Sequence, residues 1–315
     1  MQIDSGNAAG TILLVLRPMR AASLVRLVLI AAVAACAGGA RELQAQAGVR
    51  ERTIFVSAVD GRGDPVDGLG LTDFIVTEDG RQREVLRVTP ATEAIDIALL
   101  IDTSASAERA IAPLRDGVRR FVAQMAVGNQ IALVGLADRP TILVDYTSSQ
   151  ERLTQGTGRL FAMNGSGMTL LDALIEVSAG LRRREAPRAV IAPVITNGIE
   201  FTNRYARDVI AAMRTAGTSL HAIVVGHLPV GTTEERERAI ALDAGTRETG
   251  GQHVTLLTES AIEPALLRLA RELTSQYKVV YGRPESLIPP DKIEVRSARP
   301  NVTMRGTPMR GQAGA

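Results

Sequence analysis

Between Ile95 and about Thr274 apolar residues arrive in short unbroken runs, and the stretches between those runs repeat their apolar positions every three or four residues. "IDIALLID" (95–102), "QIALVGLA" (130–137), "TILVDY" (141–146), "AVIAPVIT" (189–196), "SLHAIVVG" (219–226) and "QHVTLL" (252–257) have the length and β-branched content of strands buried on both faces. Ile111, Leu114, Val118, Phe121, Val122 and Met125 fall on one helical face, as do Leu171, Leu174, Ile175, Ser178 and Leu181, and Ile262, Leu266, Leu269 and Leu273. Apolar strands alternating with amphipathic helices predict a mostly parallel sheet between helical layers. The short "LADRPTILV" link leaves no room for a crossover helix, so it predicts one antiparallel edge strand.

The flanks have a different period. "RTIFVSAVDGRGDPVDGLGLTDFIVTEDGRQREVLRV" (52–88) alternates β-rich runs with Asp-Gly turns, giving strands near 53–59, 73–78 and 83–88. "QYKVVYG" (276–282), "DKIEVRSA" (291–298) and "VTMRG" (302–306) return to that character at the other end. Neither flank makes an adequate core alone. The expected class is therefore α/β: a Rossmann-like open sheet of mostly parallel strands with one antiparallel edge strand and helices on both faces, plus a small β-sandwich built from the N- and C-terminal strands. The expected divisions are 1–47, 48–93, 94–275 and 276–306, with a patternless, disordered tail over 307–315.

Residues 1–47 read as an export leader, with arginines at 17, 20 and 26 followed by the apolar "LVLIAAVAAC" (27–36). That run is about half of the roughly 20 residues a spanning helix needs. Translation from Met19 would fit the same pattern. Two cleavage readings stay open: "AQA" (45–47) suits ordinary signal peptidase, while "VAAC" (33–36) is similar to a bacterial lipobox and would place a lipid on Cys36, the single cysteine. The expected location is the bacterial envelope, periplasm or exterior, with a membrane reached only through that lipid.

Charge excludes a nucleic-acid partner. The formal surplus of +2 is carried entirely by the leader, where four arginines face Asp4 and Glu42, so the remainder has no basic footprint. Tryptophan is absent and aromatics are 3%, too few for a stacking platform.

The chemistry concentrates at "IDTSAS" (101–106), where a buried strand ends in Asp102, Ser104 and Ser106. Ligands of open parallel sheets gather at the carboxyl ends of strands. Alternate side chains of an extended segment point the same way, so these three oxygens would converge, and such donors suit a hard cation such as Mg²⁺. In this the chain resembles the von Willebrand factor A domain family over roughly 94–275, whose metal-ion-dependent adhesion site carries Asp-x-Ser-x-Ser after the first strand. The resemblance implies a further threonine, matched by Thr169 in "GSGMTLLDAL", and an aspartate after the fourth strand, where this sequence has Asn197 in "ITNGIE". Losing that charge implies weaker Mg²⁺ binding, with Glu200 or Asp138 as acids that could compensate. The flanking strands add a resemblance to exported bacterial proteins, best represented in acidobacteria, that carry a related domain.

The resemblance implies a non-catalytic, adhesion-type module. Ser104, Ser106 and Thr169 would touch Mg²⁺, Asp102 and Asn197 would hold its waters, and a protein partner would donate a carboxylate. A metal-free scaffold binding through loops or the β-sandwich is the alternative. A secreted serine hydrolase using Ser104 or Ser166 is the third reading, weakened because "NGSGM" lacks a Gly-x-Ser-x-Gly elbow and His221, His227 and His253 lack metal-pair spacing.

Overall fold

The computed structural model describes residues 49–285, 288 and 290–308; the leader, both cleavage motifs and Cys36 lie outside the described residues. The first flanking strand is β1 (Val49–Val59), followed by β2 (Phe74–Glu78), β3 (Arg81–Arg83) and β4 (Val85–Pro90). The central segment contains β5 (Ile95–Asp102), α1 (Ile111–Met125), β6 (Gln130–Leu136), β7 (Pro140–Thr147), α2 (Gln150–Thr157) and α3 (Leu170–Arg184). It continues through β8 (Arg188–Ile195), α4 (Ala206–Ala216), β9 (Thr218–Val225), α5 (Thr233–Thr249), β10 (Gln252–Leu256) and α6 (Ile262–Thr274). The chain closes with β11 (Tyr277–Pro284), β12 (Ile293–Ser297) and β13 (Thr303–Pro308).

The unbroken apolar runs become a six-stranded sheet of order β10-β9-β8-β5-β6-β7, parallel except for the antiparallel edge strand β7. β5, β8 and β9 are buried along their whole length, because helices cover both faces. Ile97, Leu99 and Ile101 pack under α1 and α6, while Ala98 and Leu100 pack under α3, α4 and α5. Successive side chains of one strand thus feed two separate cores. Connections leave β5 toward one face and β8 toward the other, so the strand order reverses between them and their carboxyl ends open a crevice.

The flanking strands form two antiparallel sheets, β13-β1-β11-β4 and β12-β2-β3, around a shared core of Ile54, Val56, Phe74, Val76, Tyr277, Val279 and Tyr281. The run expected as one strand near 83–88 is divided. Arg81–Arg83 pairs with β2, the chain crosses at Glu84, and Val85–Pro90 joins the other sheet beside β11. An irregularity in the β4–β11 register at Val280/Tyr281 marks that crossing, where Gly282 N donates to Glu84 O at 2.9 Å. The closing strand continues past residue 306, which shortens the expected tail. Thr307 pairs with Phe55, and its hydroxyl donates to Thr249 O at 2.8 Å. Among the described residues no helix is long and apolar enough to cross a membrane.

Candidate functional site

Asp102 is the last residue of β5 and is fully buried, a costly place for a carboxylate unless donors surround it. Three do. Ser104 N donates to Oδ1 at 2.8 Å, and Thr196 donates to Oδ2 through its backbone N at 2.9 Å and its hydroxyl at 2.6 Å. Thr196 leaves the end of β8, so the carboxylate ties together the two strands that bound the crevice.

Ser104 Oγ lies 2.8 Å from Ser106 Oγ, which lies 2.8 Å from Thr196 Oγ1. The direction of each proton follows by elimination. Thr196 donates its single hydroxyl proton to Asp102 Oδ2. Ser106 must then donate to Thr196, and Ser104 to Ser106. The chain of hydroxyls is polarised toward the buried charge.

This convergence arises differently from strand alternation. Ser104 is extended (φ −70°, ψ 170°) and caps a 3₁₀ turn over Ala105–Ala110, so Ser106 comes back beside Ser104 through a turn. Ser104 is buried while Ser106 is exposed.

Thr169 stands at the start of α3 and is held separately, with Oγ1 donating to Ala137 O at 3.0 Å. Its loop is stitched to the others: Met163 N donates to Thr103 O at 2.9 Å, Ala105 N to Ser166 O at 3.2 Å, and Met168 N to Ile199 O at 2.9 Å. Asn197 is exposed and lies outside the hydroxyl network; the place beside Asp102 belongs to its neighbour Thr196. The metal-site motif does not mark Thr196, because the acid it calls for falls one position later, at Asn197. The signal for Thr196 was that it directly follows a fully buried strand.

The two acids considered as substitutes are engaged elsewhere. Asp138 Oδ1 accepts from Gly167 N at 3.2 Å. Glu200 is 2% exposed, and its Oε1 accepts from the Thr202 hydroxyl while Oε2 has no hydrogen-bond partner. Burial pushes the Glu200 carboxyl up to about 7, against the opposing pull of the Thr202 hydroxyl and the Arg238 charge. Glu200 therefore carries a proton through much of the acid range.

Gly198 packs onto the hydroxyls: a Cβ there would stand 2.5 Å from Ser106 Oγ and 3.0 Å from Ser104 Oγ. Gly198→Ala is expected to displace Ser106 at a stability cost of about 1–2 kcal/mol. A crystal structure of the variant checks it, and an unmoved Ser106 hydroxyl would refute the packing argument.

Neutral hydroxyl oxygens beside a carboxylate are donor types that a small hard cation takes. A hydroxyl ligand must send its proton elsewhere, which Thr169 does toward Ala137 and the serines do toward Asp102. Ser104 and Ser106 oxygens at 2.8 Å match the roughly 3 Å between adjacent ligands of an octahedron with bonds near 2.1 Å. Asp102 is the single carboxylate in this network among the described residues.

No serine–histidine pair accompanies these groups among the described residues. Ser104 bonds to Ser106, and Ser166 Oγ donates to Met163 O at 2.8 Å. His221 is buried among groups that leave both ring nitrogens unpartnered, and burial pushes it down to about 4. A cavity of 570 Å³ lined by Arg214, Arg247, Lys292 and Met304 includes none of the site residues.

Residues 97–199 match the von Willebrand factor type A domain model. No curated protein matches the chain. Among solved structures it is similar to the von Willebrand factor domain of the type V pili tip protein Mfa5 from Porphyromonas gingivalis, at 14% identity and TM-score 0.46 over 58% of this chain and 96% of that one. Proximal thread matrix protein 1 from the mussel byssus is similar at 16% identity and TM-score 0.47, over 60% of this chain and 50% of that one. A von Willebrand factor type A protein from Catenulispora acidiphila is similar at 11% identity and TM-score 0.46, over 85% and 75%.

Proposed function

Starting from the von Willebrand factor type A match over 97–199, we propose that this protein is an exported, non-catalytic interaction module that receives a partner's carboxylate at the rim of Ser104, Ser106 and Thr169. Mg²⁺ belongs to this reading, held by those three hydroxyl oxygens, with its waters turned toward Asp102 and the exposed Asn197 contributing at most from the rim. When bound, such an ion offers an open coordination position to an acidic side chain. The observation that carries the reading is the proton order of the hydroxyl chain, which turns every donor toward Asp102 and leaves oxygen lone pairs for a ligand.

The surroundings support a protein partner. Phe161, Met163, Ile199, Phe201, Tyr205 and Val230 are each more than half exposed, and all lie in the three loops 158–169, 196–205 and 226–232. Large exposed apolar side chains on two loops that carry the site, and on the 226–232 loop, are the kind of surface a protein partner docks on. Phe201 is fixed against Gly167, where a Cβ would stand 2.2 Å from the ring. The expected partner segment therefore carries an acid flanked by apolar residues.

Displayed random peptides selected on the protein in Mg²⁺ test this. Enriched sequences are expected to share an Asp or Glu beside apolar positions and to be released by EDTA. Phe201→Ala is expected to weaken the best of them about tenfold or more with little change in melting temperature. Binders without an acid, insensitive to EDTA, would instead support the metal-free scaffold, for which the exposed position of Asn197 speaks.

A further inference from the structure

Directly behind the loop that closes this site, α5 buries a guanidinium. Arg238 is 0% exposed and is among the largest fully buried side chains. Its Nη1 donates to Gly198 O at 2.6 Å and its Nη2 to Pro229 O at 3.4 Å, while Nε has no partner. It forms no ion pair among the described residues. Burying an unpaired cation is expensive, so nearby negative charge must repay it. The acids whose charge reaches Arg238 are Glu200, Glu235 and Asp102. Glu200 pulls on Arg238 most strongly, and Glu235 also accepts from Gly231 N and Thr232 N at the start of α5. Asp102, the weakest of the three in its pull on Arg238, is the one that belongs to the hydroxyl site, and the geometric link is Gly198, whose carbonyl holds Arg238 while its Cα packs on Ser104 and Ser106.

We propose that Arg238 is the resident counter-charge of the site: its guanidinium, fixed on Gly198 O, balances Asp102 from behind and holds divalent-cation affinity low. The proposal rests on the metal reading above and names what regulates it. A fixed positive charge in the interior repels an incoming dication, and low local dielectric magnifies that repulsion. Asn197 and Arg238 then act in the same direction, one by omitting a negative charge and the other by supplying a positive one. The position of Gly198 against Ser104 and Ser106 is the mechanical half of the same arrangement.

Calorimetric titration of MgCl₂ into the whole chain decides it, with Arg238→Gln, Arg238→Met, Arg238→Lys and Asn197→Asp compared with the parent. Arg238→Gln retains a donor for Gly198 O without the charge and is expected to bind Mg²⁺ about tenfold tighter or more. Arg238→Lys is expected to match the parent. If Asn197→Asp tightens binding while both neutral Arg238 variants fold and bind no better than the parent, the proposal is overturned and the metal site stands. Absence of heat from every protein, Asn197→Asp included, removes the metal reading and this proposal with it. Loss of cooperative melting in both neutral variants, restored by Lys, makes Arg238 purely structural and also overturns it.

Discussion

Asp102→Ala is expected to lower stability by about 4 kcal/mol and to abolish Mg²⁺-dependent binding. The carboxylate is fully buried and accepts from Ser104 N, Thr196 N and Thr196 Oγ1, so its removal takes the acceptor from two backbone amides at the ends of β5 and β8. Each unmet buried donor costs about 1–3 kcal/mol. The same loss frees the Thr196 hydroxyl, and the proton order of Ser106 and Ser104 is then no longer fixed. Urea denaturation measures the first effect; a shift below about 1 kcal/mol would mean that Asp102 does not tie β5 to β8.

Glu200→Gln is expected to act in the opposite direction, and only above about pH 4.5. The folded protein holds the Glu200 proton to about pH 7, whereas the unfolded chain releases it near 4.5. Between those values the native state binds more protons, so stability falls as pH rises through the window. Below about 4.5 both states are protonated and the residue contributes no difference. Above 7 the full penalty applies, of order 3 kcal/mol. Glutamine keeps a carbonyl for the Thr202 hydroxyl and carries no charge to desolvate. Its advantage should therefore be absent at pH 4.5, grow toward pH 7 and level off by pH 8 in paired melting curves. A stability difference that does not vary with pH would show that burial does not hold that proton.

Much of this architecture is legible in the residues. Runs such as "IDIALLID" and "AVIAPVIT" have no polar alternation because both faces of β5 and β8 are covered, and that same feature marks the sheet as parallel. α1, α3 and α6 declare themselves through one clean apolar face. α5 does not. Its buried positions include Glu235 and Arg238, which bond to the loops beside the site, and Thr246 and Thr249, which bond within the helix and to the start of β9 at its other end. The division of 81–90 between two sheets also escapes the pattern, since β-rich composition says nothing about which partner strand each half will meet. At the site, Asp102, Ser104 and Ser106 can be read from spacing. Thr196 and Arg238 cannot, because each earns its position through a contact about 90 or 40 residues away in the chain.

The central claim is that oxygen atoms from the loops after β5 and before α3 share one cation. Crystals grown in Mn²⁺ and measured for anomalous scattering address it directly. The account predicts a single strong peak bonded to Ser104, Ser106 and Thr169 oxygens, with waters toward Asp102. A peak elsewhere, or no peak at millimolar Mn²⁺ in crystals of the Asn197→Asp protein, would contradict it.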